Sequence, residues 1–117
     1  MKIPDFDMLE TVANDIVELS RQKGLLEVKI KFEESEVVKK ATSQPEFFQG
    51  GKPPSMAFIE STYKYQGFTG ELIALRQELV EVTAKLEKAR LTWEIFKQQF
   101  EIYRTESANN RATGQLL

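Results

Sequence analysis

The chain has 117 residues, of which 29 % are charged and 41 % apolar, and its net charge is −2. That length suits one domain, and the acidic balance argues against a general polyanion binder. Cysteine and histidine are both absent, which excludes disulfides, thiolate metal sites, histidine acid–base pairs, serine–histidine triads and the Glu-x-x-His di-iron bundle site.

No apolar run approaches the ~20 residues that cross a bilayer, and the opening Met1-Lys2-Ile3-Pro4-Asp5 lacks the apolar stretch of a signal peptide. The expectation is a cytoplasmic protein with no membrane partner, no cofactor and no metal. Without a nucleophile–base pairing or a phosphate loop, the sequence also reads as non-enzymatic.

The first helix is expected over about 6–42. Asp7 can cap it, with Glu10 three residues on in a capping-box arrangement, and Pro4 stands just upstream, where no amide donor is needed yet. The a and d positions of a heptad frame are Leu9, Val12, Ile16, Leu19, Lys23, Leu26, Ile30, Glu33 and Val37. Two of these, Lys23 and Glu33, are charged, and Gly24 is a weak point costing roughly 1 kcal/mol against Ala. Two alternatives stay open: a break into two helices at Gly24, and a strand over Leu26–Phe32, where apolar residues alternate with Glu and Lys.

A loop is expected over 43–54, where Pro45, Gly50, Gly51, Pro53 and Pro54 deny a helix its donors and its stiffness. Ser55 then caps a short helix over 55–66. Gly67 and Gly70 bracket Phe68-Thr69. Thr69 can cap a long helix over 70–107, with Glu71 well placed in its first turn. The small, polar residues 108–117 are expected to form a flexible tail.

The long helix carries an unbroken seam at 3-4 spacing: Leu72, Leu75, Leu79, Val82, Leu86, Ala89, Trp93, Phe96, Phe100 and Tyr103. Two helices of similar length, near 55 Å each at 1.5 Å per residue, joined by such a connection fold back on each other. The fold class is therefore all-α: a long antiparallel, coiled-coil-like helical hairpin with a short extra helix near the turn, forming a single helical domain. A second apolar row, Ile73, Val80, Ala84, Leu91, Ile95 and Ile102, lies opposite the seam, and a shorter one, Val17, Leu25, Val28 and Phe32, lies on the first helix. A helix that is apolar on two sides is buried on two sides, so the chain is expected to oligomerise, with Ile73, Val80, Leu91, Ile95 and Ile102 at the interface.

The turn end holds the most suggestive cluster. Between Lys39 and Phe68 four lysines face two glutamates, a local excess of two positive charges that leaves −4 for the rest of the chain. Phe47, Phe48, Tyr63, Tyr65 and Phe68 are interleaved with those lysines. Cations that track a backbone, together with rings on which bases stack, suit a sequence-tolerant single-strand site. The set is Lys39, Lys40, Lys52, Tyr63, Lys64 and Tyr65. The competing reading is that Phe47, Phe48, Phe58 and Phe68 pack the turn while the lysines solubilise it. The acidic run Glu33, Glu34 and Glu36 reads as a solvated helix face, and Gln49-Gly50-Gly51-Lys52 does not match a phosphate-binding loop.

The segment Ser55-Met56-Ala57-Phe58-Ile59-Glu60, then Tyr63, Glu71-Leu72-Ile73 and Tyr103-Arg104-Thr105-Glu106-Ser107 through Arg111 resembles the small helical proteins of tailed phages grouped with the UvsY-type recombination mediators, over roughly 30–111. The resemblance implies a ring-forming accessory protein that binds single-stranded DNA and helps a recombinase displace the single-strand-binding protein, in a bacterial host cell. The alternative is a coiled-coil adaptor, scaffold or assembly chaperone that acts through protein contacts alone.

Overall fold

The computed structural model describes residues 3–116, with side chains through residue 114. It is all-α, with no strand among the described residues. Helix α1 spans Phe6–Ser43, α2 Met56–Phe58, α3 Lys64–Gln66 and α4 Glu71–Leu116. A widened π turn, Ile59–Tyr63, joins α2 to α3, and a short 3-10 turn, Pro45–Phe47, follows α1. The chain divides into two compact units, Met1–Ser20 with Ala84–Leu117 and Arg21–Thr83, and α1 and α4 contribute to both.

Both alternatives for the first helix are resolved in favour of continuity. Gly24 and Leu26–Phe32 lie inside α1. The alternation over Leu26–Phe32 loses because only Leu26 and Ile30 are buried there, at the i, i+4 spacing of a helix, while Val28 and Phe32 face solvent. The cap sits two residues earlier than expected. The Asp5 carboxylate, not Asp7, accepts from the Met8 amide at 2.8 Å, because the helix opens at Phe6, with the Leu9 amide already bonded to the Asp5 carbonyl at 3.2 Å.

In the unit Arg21–Thr83, α1 and α4 run antiparallel. Leu26 lines a groove with Val82, and Ile30 and Val37 pack with Leu72, flanked by Tyr63, Phe68, Leu75 and Leu79. In the other unit, Val12 and Leu19 share a groove with Ala89, and Val12 lies beside Phe96. The seam of α4 faces inward as far as Phe100. Tyr103 is 46 % exposed, because α1 begins at Phe6 and offers nothing further to cover it. The helix nevertheless continues through 108–116, where a flexible tail was expected. Ala108, Arg111 and Ala112 favour helix, no proline stops it, and extending a formed helix costs little. Leu117 lies outside the described residues.

The connection is built from local rules. Gln49 and Lys52 exchange backbone hydrogen bonds of 2.8 and 3.2 Å around Gly50-Gly51. Both glycines have positive φ, which a tight two-residue turn of the I′ kind requires. Ser55 caps α2 as expected, accepting from the Phe58 amide at 3.2 Å. Thr69 does not cap α4. That place falls to Gly70, whose carbonyl accepts the first helical bond, from Ala74.

Gly67 ends α3 at φ 82 and ψ −175, a region open almost only to glycine. A Cβ there would also collide with the Glu71 carboxylate. Gly67→Ala is therefore expected to destabilise the fold by about 1–3 kcal/mol. A Cβ on Gly24 meets nothing within 4 Å, so Gly24→Ala should stabilise by about 0.5–1 kcal/mol. Urea unfolding followed by far-ultraviolet circular dichroism measures both, and a Gly24→Ala chain less stable than the parent would contradict the open helix face.

Candidate nucleic-acid interface

The aromatic residues of the turn end divide into two groups. Phe47 stacks on Phe68 with centroids 3.9 Å apart and planes 9° from parallel. Tyr63 meets Phe47, Phe58 and Phe68 edge-on, at 6.3, 5.3 and 4.9 Å. Tyr63 and Phe68 pack on the apolar cluster around Leu72, and Phe47 and Phe58 pack on them ring to ring, so Phe47, Phe58 and Phe68 fill the turn. The Tyr63 ring is engaged with three neighbouring rings. Tyr65, two residues on, is 59 % exposed.

The lysines also divide. Lys39 and Lys64, 25 positions apart in sequence, line one open groove of about 600 Å³ with Lys31, Glu34, Ser35, Val38 and Glu60. Lys39 pairs with Glu36 at 3.6 Å and Lys64 with Glu60 at 3.2 Å. Both pairs are solvent-exposed and weak, so a phosphate can take either lysine at small cost. Lys40 and Lys52 are exposed and make no ion pair among the described residues; neither lines this groove. Lys31 and Ser35 were missed in the sequence. Lys31, Ser35 and Lys39 fall at i, i+4, i+8 on one face of α1, a spacing that could have marked them.

Arg76 was missed too, and it ties the site together. Its Nη2 donates to Glu34 Oε1 at 2.6 Å and to the Lys64 carbonyl at 3.2 Å, and its Nε donates to the Tyr65 carbonyl at 3.1 Å. Its guanidinium lies over the Tyr65 ring, 5.3 Å from the centroid. One side chain thus joins α1, the end of α3 and α4. It satisfies two carbonyls left open at a helix end and neutralises Glu34 within the groove. Glu34 is therefore no member of a free acidic face. Both residues occupy the e position of their heptad frames, which flanks the seam and carries interhelical ion pairs in coiled coils.

The π turn Ile59–Tyr63 precedes these residues. The Lys64 amide bonds the Ile59 carbonyl, one residue further than in an α-helix. Such turns recur at functional sites, and nothing in the composition of Ile59-Glu60-Ser61-Thr62-Tyr63 announces one.

Glu71 fixes the entry to α4. Its carboxylate accepts from the Phe68 amide at 3.0 Å, the Thr69 amide at 2.7 Å and the Thr69 hydroxyl at 2.6 Å. Burial pushes this carboxyl up, but the Thr69 hydroxyl and the Glu71, Thr69 and Phe68 amides outweigh it and hold the group at about 2 against an ordinary 4.5. A depressed carboxyl stabilises the fold at pH values above its unfolded pKa, and that contribution is lost as pH falls through the folded one. Glu71→Gln should cost about 1–2 kcal/mol at neutral pH, allowing for solvent screening. The gap to the parent should close between pH 4.5 and about 2. Urea titrations across that window measure it, and a gap independent of pH would remove the charge from the account.

Among the described residues no cluster of three or more Asp or Glu is arranged to hold a metal ion, and no helix is long and apolar enough to cross a membrane. No family model matches the chain, and neither a curated protein nor a solved structure similar to it was found.

Proposed function

We propose that the chain is a non-enzymatic accessory protein that binds single-stranded DNA, as its resemblance to phage recombination mediators implies, and that it works as an oligomer. The observation that carries this reading is the groove in which Lys31, Lys39 and Lys64 meet. Three lysines drawn from two elements form a local positive surface on a chain of net charge −2. Glu34 is neutralised by Arg76 and Glu60 is paired with Lys64, and Ser35 adds a hydroxyl donor. Phosphate contacts of this kind are sequence-independent and sensitive to salt. Lys40 and Lys52 add unpaired charge nearby in sequence. In an oligomer each groove would be repeated, and several weak sites on one strand bind with the avidity of a linked array.

A labelled oligo-dT of on the order of 20 nucleotides should bind at about 50 mM salt and weaken steeply by about 200 mM, and removing one groove lysine should lower the salt slope by about 0.7. Fluorescence anisotropy reads both. Binding that salt leaves unchanged would overturn the groove assignment.

A second reading, a scaffold or adaptor working through protein contacts alone, draws on a separate observation. Val80, Leu91, Ile95 and Ile102 on α4 are 65, 65, 52 and 45 % exposed, and Val17, Leu25, Val28 and Phe32 on α1 are likewise exposed. Ile73 is half-buried. The α4 row recurs every eleven residues, as Ile73, Ala84, Ile95 and as Val80, Leu91, Ile102, whereas the inner seam recurs every seven. A seven-residue repeat winds partners left-handed and an eleven-residue repeat right-handed, so an outer partner would cross α4 with the opposite hand. Both readings need oligomers on this face. Ile95→Glu should lower the mass seen by light scattering while leaving helicity unchanged, and an unaltered mass would place the interface elsewhere.

A further inference from the structure

We propose that Tyr65, held from behind by Arg76, is a stacking platform for one unpaired nucleobase, and that this contact makes the groove select single strands over duplex. The inference rests on the reading of the groove as a site for the DNA backbone, and it adds a base contact to it.

Three observations meet at Tyr65. Its ring is exposed while Phe47, Phe58, Tyr63 and Phe68 pack against one another. Burial therefore does not explain why a large ring stands there. One ring face is occupied by the Arg76 guanidinium at 5.3 Å. That guanidinium is itself fixed by Glu34 and by the carbonyls of Lys64 and Tyr65. The ring is thus ordered before any ligand arrives, and a base that stacks on the open face pays little additional entropy. Lastly, the neighbouring residue, Lys64, lines the groove. The cation for a phosphate and the ring for a base thus stand on consecutive residues.

Every base presents a π face, so stacking tolerates any sequence. In a duplex those faces are covered by neighbouring base pairs, and only a strand with free bases can use the ring. Arg76 does not touch the strand in this account. It is a positioning residue that acts through Tyr65, by cation–π contact on the inner face.

The test compares labelled oligo-dT with an abasic sugar–phosphate strand of equal length and charge, on the full chain. Oligo-dT should bind the parent about tenfold more tightly than the abasic strand. Tyr65→Leu should abolish that ratio and leave the salt slope unchanged, since the slope belongs to the lysines. Tyr65→Phe should keep the ratio, because the hydroxyl plays no part. Arg76→Gln should shrink the ratio at unchanged helicity. Tyr65 is exposed, so Tyr65→Leu tests the platform even if Arg76→Gln fails to fold. Equal affinity for the two strands in the parent, or a ratio that survives Tyr65→Leu, overturns the platform and leaves the groove standing. Failure of both strands to bind at about 50 mM salt overturns the groove and the platform together.

Discussion

The packing of Leu72 against Ile30 and Val37 is the contact on which the turn end depends. Leu72 is fully buried in the first turn of α4, a place where a helix normally exposes its free amides to water. Burying such a side chain contributes about 1.5–3 kcal/mol, but only if the polar groups beside it are satisfied. This explains the local construction. Glu71 folds back to serve the Phe68 and Thr69 amides, Gly67 and Gly70 take backbone conformations with positive φ, and Phe68 comes to rest on Phe47. Without the Glu71 clasp the same leucine would be anchored beside unpaired donors, each costing about 1–3 kcal/mol.

The helix pair in this unit was legible because its cause is periodic. Leu26, Ile30, Leu72 and Val82 were placed on the seam by spacing alone, and they are buried. The short segment from Ser55 was legible because its cap is a local rule. The cap at Asp5 was missed because Asp5 and Asp7 are equally good acceptors, and only the residue at which the helix opens decides between them. The continuation of α4 to Leu116 was missed because small polar residues resemble a tail, while a helix already nucleated over ten turns extends through them easily.

The candidate site was legible in kind and only partly in membership. Charge and aromaticity pointed to the turn end, where Lys39 and Lys64 line one groove and Tyr65 stands exposed beside Arg76. The ring of Tyr63 is packed among its neighbours, and Lys31, Ser35 and Arg76 were absent from the reading. A groove is formed by residues distant in sequence, and no window over 39–68 reaches Lys31 or Arg76. The flanking positions of the heptads held the missing information. Glu34 and Arg76 lie at e in two frames that each run antiparallel past the other, so their ion pair follows once the register is known. The sequence reading placed Glu34 on a solvated helix face and gave Arg76 no role.

Tyr63, Lys64 and Tyr65 entered the candidate set side by side, two rings around a cation. In the fold the three residues have three different surroundings. Tyr63 closes the aromatic cluster, Lys64 lines the groove, and Tyr65 stands outside against Arg76. The π turn ending at Tyr63 accounts for the division. A regular helix advances 100° per residue, and the extra residue held in the widened turn resets the faces of everything after it. Ile59 and Tyr63 face the core, and the carbonyls of Lys64 and Tyr65 turn toward Arg76. An acidic chain can then offer a groove lined by three lysines and an exposed ring on the residue that follows one of them. Arg76 and Glu34 contribute by standing half-buried as a mutually neutral pair, so that Glu34 does not offset the lysines that share its groove.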